Sequence, residues 1–200
     1  MKNNTLSSVR IEPLTKATVA SVVAIYENEL SQSFLGQLGT SFLTAFFSST
    51  IESDRAFTLV AKKNAPVVGF ATGVLGQTAF IADMIKHNPR VLIWLVWRFI
   101  LHPHLISEAL TLSFRGKKIA REPQLLSLGV SQSFQRQGVG TLLVKSVEKE
   151  WKKRDVDSFI VGTWETMKET RLFYEKRGGK VFAQVSLGGK TLVYYRYETA

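Results

Sequence analysis

The chain has 200 residues, 45% of them hydrophobic, and 26 Lys and Arg against 16 Asp and Glu give a formal charge of +10. That length and apolar content suit one sizeable core in a single domain, and the charge favours an anionic partner without choosing among nucleic acid, a membrane surface and a phosphorylated small molecule. There is no cysteine, which excludes disulfides, a cysteine nucleophile and thiolate metal sites and leaves three histidines as the only imidazole ligands.

The basic residues are spread from Lys2 to Arg196 instead of gathering on one element, so nucleic-acid binding is not expected. The first 25 residues lack a continuous apolar segment with a small-residue cleavage site, and a cytoplasmic location is the default expectation. The longest apolar stretch, Val91 to Leu101, is eleven residues broken by Arg98, well short of the ~20 that a membrane-crossing helix needs.

Val9-Arg10-Ile11-Glu12 alternates as a short strand, and Val19, Val22, Val23, Tyr26 and Leu30 then recur at the spacing of a core-facing helix. A second helix is predicted over Leu38 to Ile51, where Phe42, Leu43, Phe46, Phe47 and Ile51 share one face and Gly36 and Gly39 weaken the start. Phe57 to Ala61 and Val67 to Val74 read as an antiparallel hairpin turned at Lys62-Lys63-Asn64-Ala65-Pro66.

The stretch from Gln77 to Glu122 differs. It holds Trp94, Trp97, His87, His102, His104, Pro89 and Pro103, reads helical on both sides of Pro103, and is expected to be an insertion of two helices. His-Pro-His with no flanking acid lacks a metal-ligand spacing, so a helix–loop corner is expected there and no metal.

Gln124 to Val130 fits a buried strand. The helix after it places Val139, Leu142, Leu143, Val147 and Trp151 on one face and sets Glu148 with Lys152 and Glu150 with Arg154 at pairing distance on the other. Ser158 to Trp164 is another strand and Glu169 to Arg177 a short helix stopped by Gly178-Gly179. Val181 to Leu187 and Thr191 to Tyr197 close the chain as a hairpin across Gly188-Gly189. The class is α/β, without repeats or low-complexity segments.

Where strand 124–130 turns into the helix from Val139, Gly138 and Gly140 let the backbone present successive N–H groups at a helix N-terminus without side-chain obstruction. The helix end favours a bound anion by ~0.3 to 1 kcal/mol, whereas each hydrogen bond to an ionised oxygen contributes ~1.5 to 3 kcal/mol, so the backbone donors dominate. Arg136 adds charge at the rim. The spacing is neither GxxxxGK[ST] nor GxGxxG, which argues against a P-loop or a Rossmann dinucleotide site.

Leu128-Gly129-Val130, then Gln135-Arg136-Gln137-Gly138-Val139-Gly140-Thr141 followed by Leu142-Leu143, resembles motif A of the GNAT N-acetyltransferase superfamily. Phe173-Tyr174-Glu175-Lys176-Arg177-Gly178 resembles its motif B, and the order of elements agrees over most of the chain except roughly 77 to 122. The resemblance implies a GNAT-type fold, a central mixed, mostly antiparallel twisted sheet flanked by helices, in a single acetyltransferase domain over 1–200. It implies acetyl-CoA as cosubstrate, bound by Leu128, Gly129, Val130, Gln135, Arg136, Gln137, Gly138, Val139, Gly140 and Thr141. It also implies that strands 124–130 and 158–164 splay apart, that a neutral amine attacks the thioester directly, and that Tyr174 is the general acid. A phenol of reference pKa ~10 can donate to a thiolate whose conjugate acid is near ~8.5.

The chain departs from the family pattern at Met167 (where Asn is frequent), Gly179 (Phe) and Gln132 (Pro). Gln124 stands near the strand position where relatives often carry a basic glutamate and cannot accept a proton; Glu122 and Glu29 are the neighbouring carboxylates and read as surface groups. The expected activity is N-acetylation of a primary amine on a small molecule, with amino sugars or nucleotide sugars ahead of antibiotics and polyamines. A protein or peptide N-acetyltransferase and a non-catalytic acyl-CoA sensor are the alternatives. Trp94, Trp97 and Phe99 beside Arg90, Arg98, Arg115, Lys117 and Lys118 suggest that the insertion is an acceptor-side lid, leaving a peripheral membrane or lipid-linked contact and a homodimer open.

Overall fold

Seven strands form one sheet: β1 (Val9–Pro13), β2 (Ala56–Lys63), β3 (Val67–Leu75), β4 (Pro123–Val130), β5 (Ser158–Trp164), β6 (Lys180–Leu187) and β7 (Lys190–Glu198), in the order β1-β2-β3-β4-β5-β7-β6. Every neighbouring pair is antiparallel except β4 with β5, so the sheet is mixed and mostly antiparallel, as expected. The computed structural model describes residues 8–106, 109, 119–187 and 189–199; Arg115, Lys117, Lys118 and Gly188 lie outside them.

Period-two alternation splits the strands between two cores. Val60, Phe70 and Val74 face α1 (Val19–Leu30), α3 (Thr40–Ser49), α4 (Gln77–His87) and α5 (Arg90–Leu101). This core is aromatic: Phe46 meets Phe47 and Phe80 edge-on at 5.3 and 5.4 Å, and Tyr26 stacks on Phe70 at 5.8 Å. The opposite face, with Leu59, Ala71 and Leu125, is covered by α6 (Val139–Lys153) and α7 (Lys168–Glu175). On α6, Val139, Leu143, Val147 and Trp151 stand four residues apart and are all buried, the stripe that the sequence pattern predicts.

Two boundaries differ from expectation for local reasons. The helix predicted over 38–51 runs only over Thr40–Ser49, because Gly39 at φ +89° cannot continue a right-handed turn and becomes the N-cap. The residues before it form a separate turn, α2 (Phe34–Gln37), capped by Ser33 Oγ accepting from the Gly36 N–H. In the insertion the chain is helical on both sides of Pro103, as expected, with α5 before it and helical residues 104–106 after it; one further break separates α4 from α5. That break falls at Asn88-Pro89, since proline has no N–H to donate and is tolerated where a new helix starts.

Gly73 lies opposite Leu125, and a Cβ there would stand 2.3 Å from the Phe57 ring and 2.9 Å from Trp151. Gly73→Ala is therefore expected to destabilise the fold by about 1 to 3 kcal/mol in urea unfolding; unaltered stability would show that this packing is looser than described.

Candidate active site

The parallel pair β4–β5 is short. Gln124 faces Ile160 and Leu125 faces Val161, and the ladder ends there. Beyond it β4 stays with β3 through Val130, and β5 stays with β7 along its whole length. The cause is in β4: between Thr72 and Gly73 the register shifts, so that Leu126 is an extra residue between Leu125 and Ser127. Such a bulge adds local twist and bends its strand away from a neighbour. A wedge opens between the two strands, with backbone polar groups along its walls that need partners.

At the end of β4 the chain makes the loop 131–138. Arg136 (φ +60°) and Gly138 (φ +88°) both take left-handed conformations, and Gly138 caps α6, whose first turn receives no side-chain cap. The leading N–H groups of a helix lack intrahelical acceptors, so this end offers several donors and the positive pole of a 15-residue helix.

The loop is held from behind. Glu29 on α1 accepts from the Gln132 N–H at 3.0 Å and from Gln135 Nε2 at 2.8 Å; Gln135 Nε2 also reaches the Val130 carbonyl at 2.9 Å, and Gln137 Nε2 the Ser133 carbonyl at 2.7 Å. Ile25, Asn28, Glu29, Ser131, Gln132 and Ser133 line an open depression beside the loop.

The other motif packs against the same helix end. Arg177 donates to the Phe173 carbonyl at 2.7 Å and to the Thr141 hydroxyl, and its guanidinium lies 3.6 Å over the Phe173 ring. Its Nε is buried without a hydrogen-bond partner, leaving cationic charge in reserve beside the first turn of α6. The Phe173 ring is 3.4 Å from where a Gly140 Cβ would project, so α7 meets α6 at ordinary contact distance there. Sequence reasoning quoted Arg177 within its motif without giving it this linking role.

Tyr174, in the last turn of α7, is 5% exposed, among Phe173, Tyr195 and Tyr197. Burial raises its phenol well above the ordinary tyrosine value, against the opposing pull of Arg177. Its carbonyl accepts from the Tyr197 hydroxyl at 2.7 Å. The departure at Gly179 belongs to this contact, because a Cβ at 179 would come within 3.0 Å of both the Tyr197 hydroxyl and the Tyr174 carbonyl.

The remaining predicted residues divide. Val139 is buried in the core beneath α6, and Leu128 is partly buried against that core. Gly129 makes room for Phe70, whose ring would be 2.6 Å from a Cβ there. Arg136 does stand at the rim, ion-paired with Glu169 and largely exposed. Gln124 is buried and donates to the Ile119 carbonyl at 2.7 Å, and Glu122 pairs with Arg196 at 3.0 Å. Met167 is the N-cap of α7 and makes no side-chain cap, although Thr163 Oγ1 approaches its sulfur at 3.7 Å. The rings of His102 and His104 are 5.8 Å apart at the corner after α5.

A wedge between two parallel strands, ending at a helix N-terminus without a side-chain cap, is a geometry suited to an extended, phosphate-bearing ligand. Residues 23–179 match the acetyltransferase (GNAT) family, and the chain belongs to that family: it is an N-acetyltransferase. The family uses acetyl-CoA. Among curated proteins none matches the chain. The fold is similar to an N-acetyltransferase from Staphylococcus aureus (TM-score 0.65, 15% identity, 96% of this chain and 99% of that one). It is also similar to the ribosomal-protein-S18-alanine N-acetyltransferase of Escherichia coli (0.60, 13%, 96% and 94%) and to a GNAT acetyltransferase from Elizabethkingia anophelis with acetyl-CoA bound (0.55, 15%, 96% and 98%).

Two outcomes follow. Glu29→Ala removes the carboxylate that holds the loop, and roughly tenfold weaker coenzyme A binding by calorimetry is expected, equivalent to about 1.4 kcal/mol; equal affinity would show that the loop keeps its shape unaided. Burial also pushes the Tyr26 phenol up to about 12, whereas unfolded tyrosine ionises near ~10. The stabilisation from keeping it protonated is complete below about pH 10 and is lost as pH rises from there through the folded value. In urea titrations, Tyr26→Phe is expected to flatten the fall in stability above about pH 10, and an identical fall in the variant would contradict this assignment.

Proposed function

We propose that the chain transfers an acetyl group from acetyl-CoA to a primary amine on a small molecule by direct attack, with an amino sugar or nucleotide sugar as the acceptor class. The observation that carries this reading is the wedge between β4 and β5 running into the uncapped end of α6, with Tyr174 packed against the same helix. Acetyl-CoA supplies, when bound, an acyl group activated as a thioester. The N–H groups of Gly138, Val139, Gly140 and Thr141 are suited to its phosphates, supported by the Arg177 charge, and the free edge of β4 at Leu128 and Val130 is suited to its amides. Gln135, Arg136 and Gln137 shape the loop around that anion site.

Tyr174 keeps its proton throughout the neutral range, which is the property required of a group that protonates a departing thiolate. Among the described residues, the candidates for a strong base are engaged elsewhere: Gln124 is spent on Ile119, Glu122 on Arg196 and Glu29 on the loop. A lysine-type amine with pKa ~10.4 is almost wholly protonated at neutrality and needs a base. The engaged carboxylates therefore favour a less basic amine, as on an amino sugar.

Free-thiol release from acetyl-CoA, measured across amino sugars, nucleotide sugars, polyamines and peptides, tests the reading. Turnover highest with amino or nucleotide sugars is expected. Preference for a peptide N-terminus would make the chain a protein acetyltransferase, and tight coenzyme A binding without release for any amine would make it an acyl-CoA sensor. Tyr174→Phe is expected to lower kcat by roughly 100-fold with coenzyme A affinity retained, and full turnover in that variant would remove Tyr174 as the acid.

A further inference from the structure

Ten of the twelve residues of α5 are apolar, and the helix has two apolar faces. Trp94 turns inward, 6.3 Å from Phe42, and Leu95 and Phe99 pack on the same core. Arg98 fixes the helix by donating Nε and Nη2 to the Gln37 carbonyl at 3.0 and 2.7 Å. The outward face is formed by Leu92, Ile93, Val96, Trp97, Ile100 and Leu101, which are 50 to 67% exposed. These residues make one unbroken strip along a helix ~18 Å long, the kind of surface that soluble monomers seldom leave in water.

The charges around the strip select what covers it. Lys86 and Arg90 are exposed at the N-terminal end of α5. Among described residues 77–106 the single acid is Asp83, which is ion-paired with Arg55 at 3.0 Å. A second copy of the chain would bring the same basic rim near itself, in a molecule already carrying +10. A layer of anionic headgroups satisfies both the rim and the strip, with the tryptophan ring at the boundary between them. No helix among the described residues is long and apolar enough to cross a membrane, so α5 would lie in the plane of the surface.

We propose that the outward face of α5 docks on an anionic lipid surface, with Ile93, Trp97 and Ile100 inserted and Lys86 and Arg90 on the headgroups. This docking is separate from catalysis and does not depend on the acceptor. The full chain is expected to float with vesicles of phosphatidylcholine mixed with phosphatidylglycerol and to bind phosphatidylcholine alone at least tenfold more weakly. The double variants Ile93→Asp with Trp97→Ser and Lys86→Glu with Arg90→Glu are each expected to bind mixed vesicles roughly tenfold more weakly, with melting temperature and coenzyme A affinity unchanged. A vesicle-induced blue shift in tryptophan emission is expected to vanish in Trp97→Phe. The proposal is overturned if the apolar double variant floats like the parent. It is equally overturned if the parent does not float but forms a dimer in sedimentation equilibrium that this variant dissolves.

Discussion

One extra residue in β4 governs the geometry of the site. With Leu126 bulged between Leu125 and Ser127, β4 follows β3 and bends from β5 after two paired positions, and β5 remains with β7. Had the ladder continued, the backbone groups of 126–130 on that side would be consumed by the sheet. The bulge instead leaves them outside the ladder, with the Val130 carbonyl taken by Gln135, on a wall backed by the buried rows beneath it.

The two helices that meet the wedge are coupled to it from opposite ends of the sequence. Glu29, on the first helix, secures the loop that carries the α6 N-terminus, and Arg177, after the last helix, fastens α7 to Thr141 on α6. The Gly138–Gly140 turn and Tyr174 are thereby held in one frame by Glu29 and Arg177. Electrostatics agrees with this division. The positive end of α6 and the Arg177 guanidinium lie where phosphate is expected, and the phenol sits where burial keeps it neutral.

Much of the fold was legible because it is written in short-range pattern. The four-residue spacing of Val139, Leu143, Val147 and Trp151, the alternation in β1 and the Gly138–Gly140 turn each follow from local sterics and burial. The Tyr174 motif pointed to a family, and the chain belongs to it. What could not be read depends on partners distant in sequence. Glu29 looked like a surface carboxylate until residues more than a hundred positions away came to rest on it. Gly179 looked like a departure from pattern until Tyr197 filled its space. The insertion was legible as helical on both sides of Pro103, but the further break at Pro89 was not, and the direction in which each tryptophan points is decided by packing on Phe42.

Coenzyme A is proposed to lie along the wall at 128–130 with its phosphates at the first turn of α6. Backbone amide resonances followed during titration with coenzyme A test it most directly. Saturable shifts concentrated at Leu128, Val130 and Gly138 to Thr141 are predicted. Shifts that saturate elsewhere on the molecule, leaving these amides unmoved, would show that coenzyme A binds at another place.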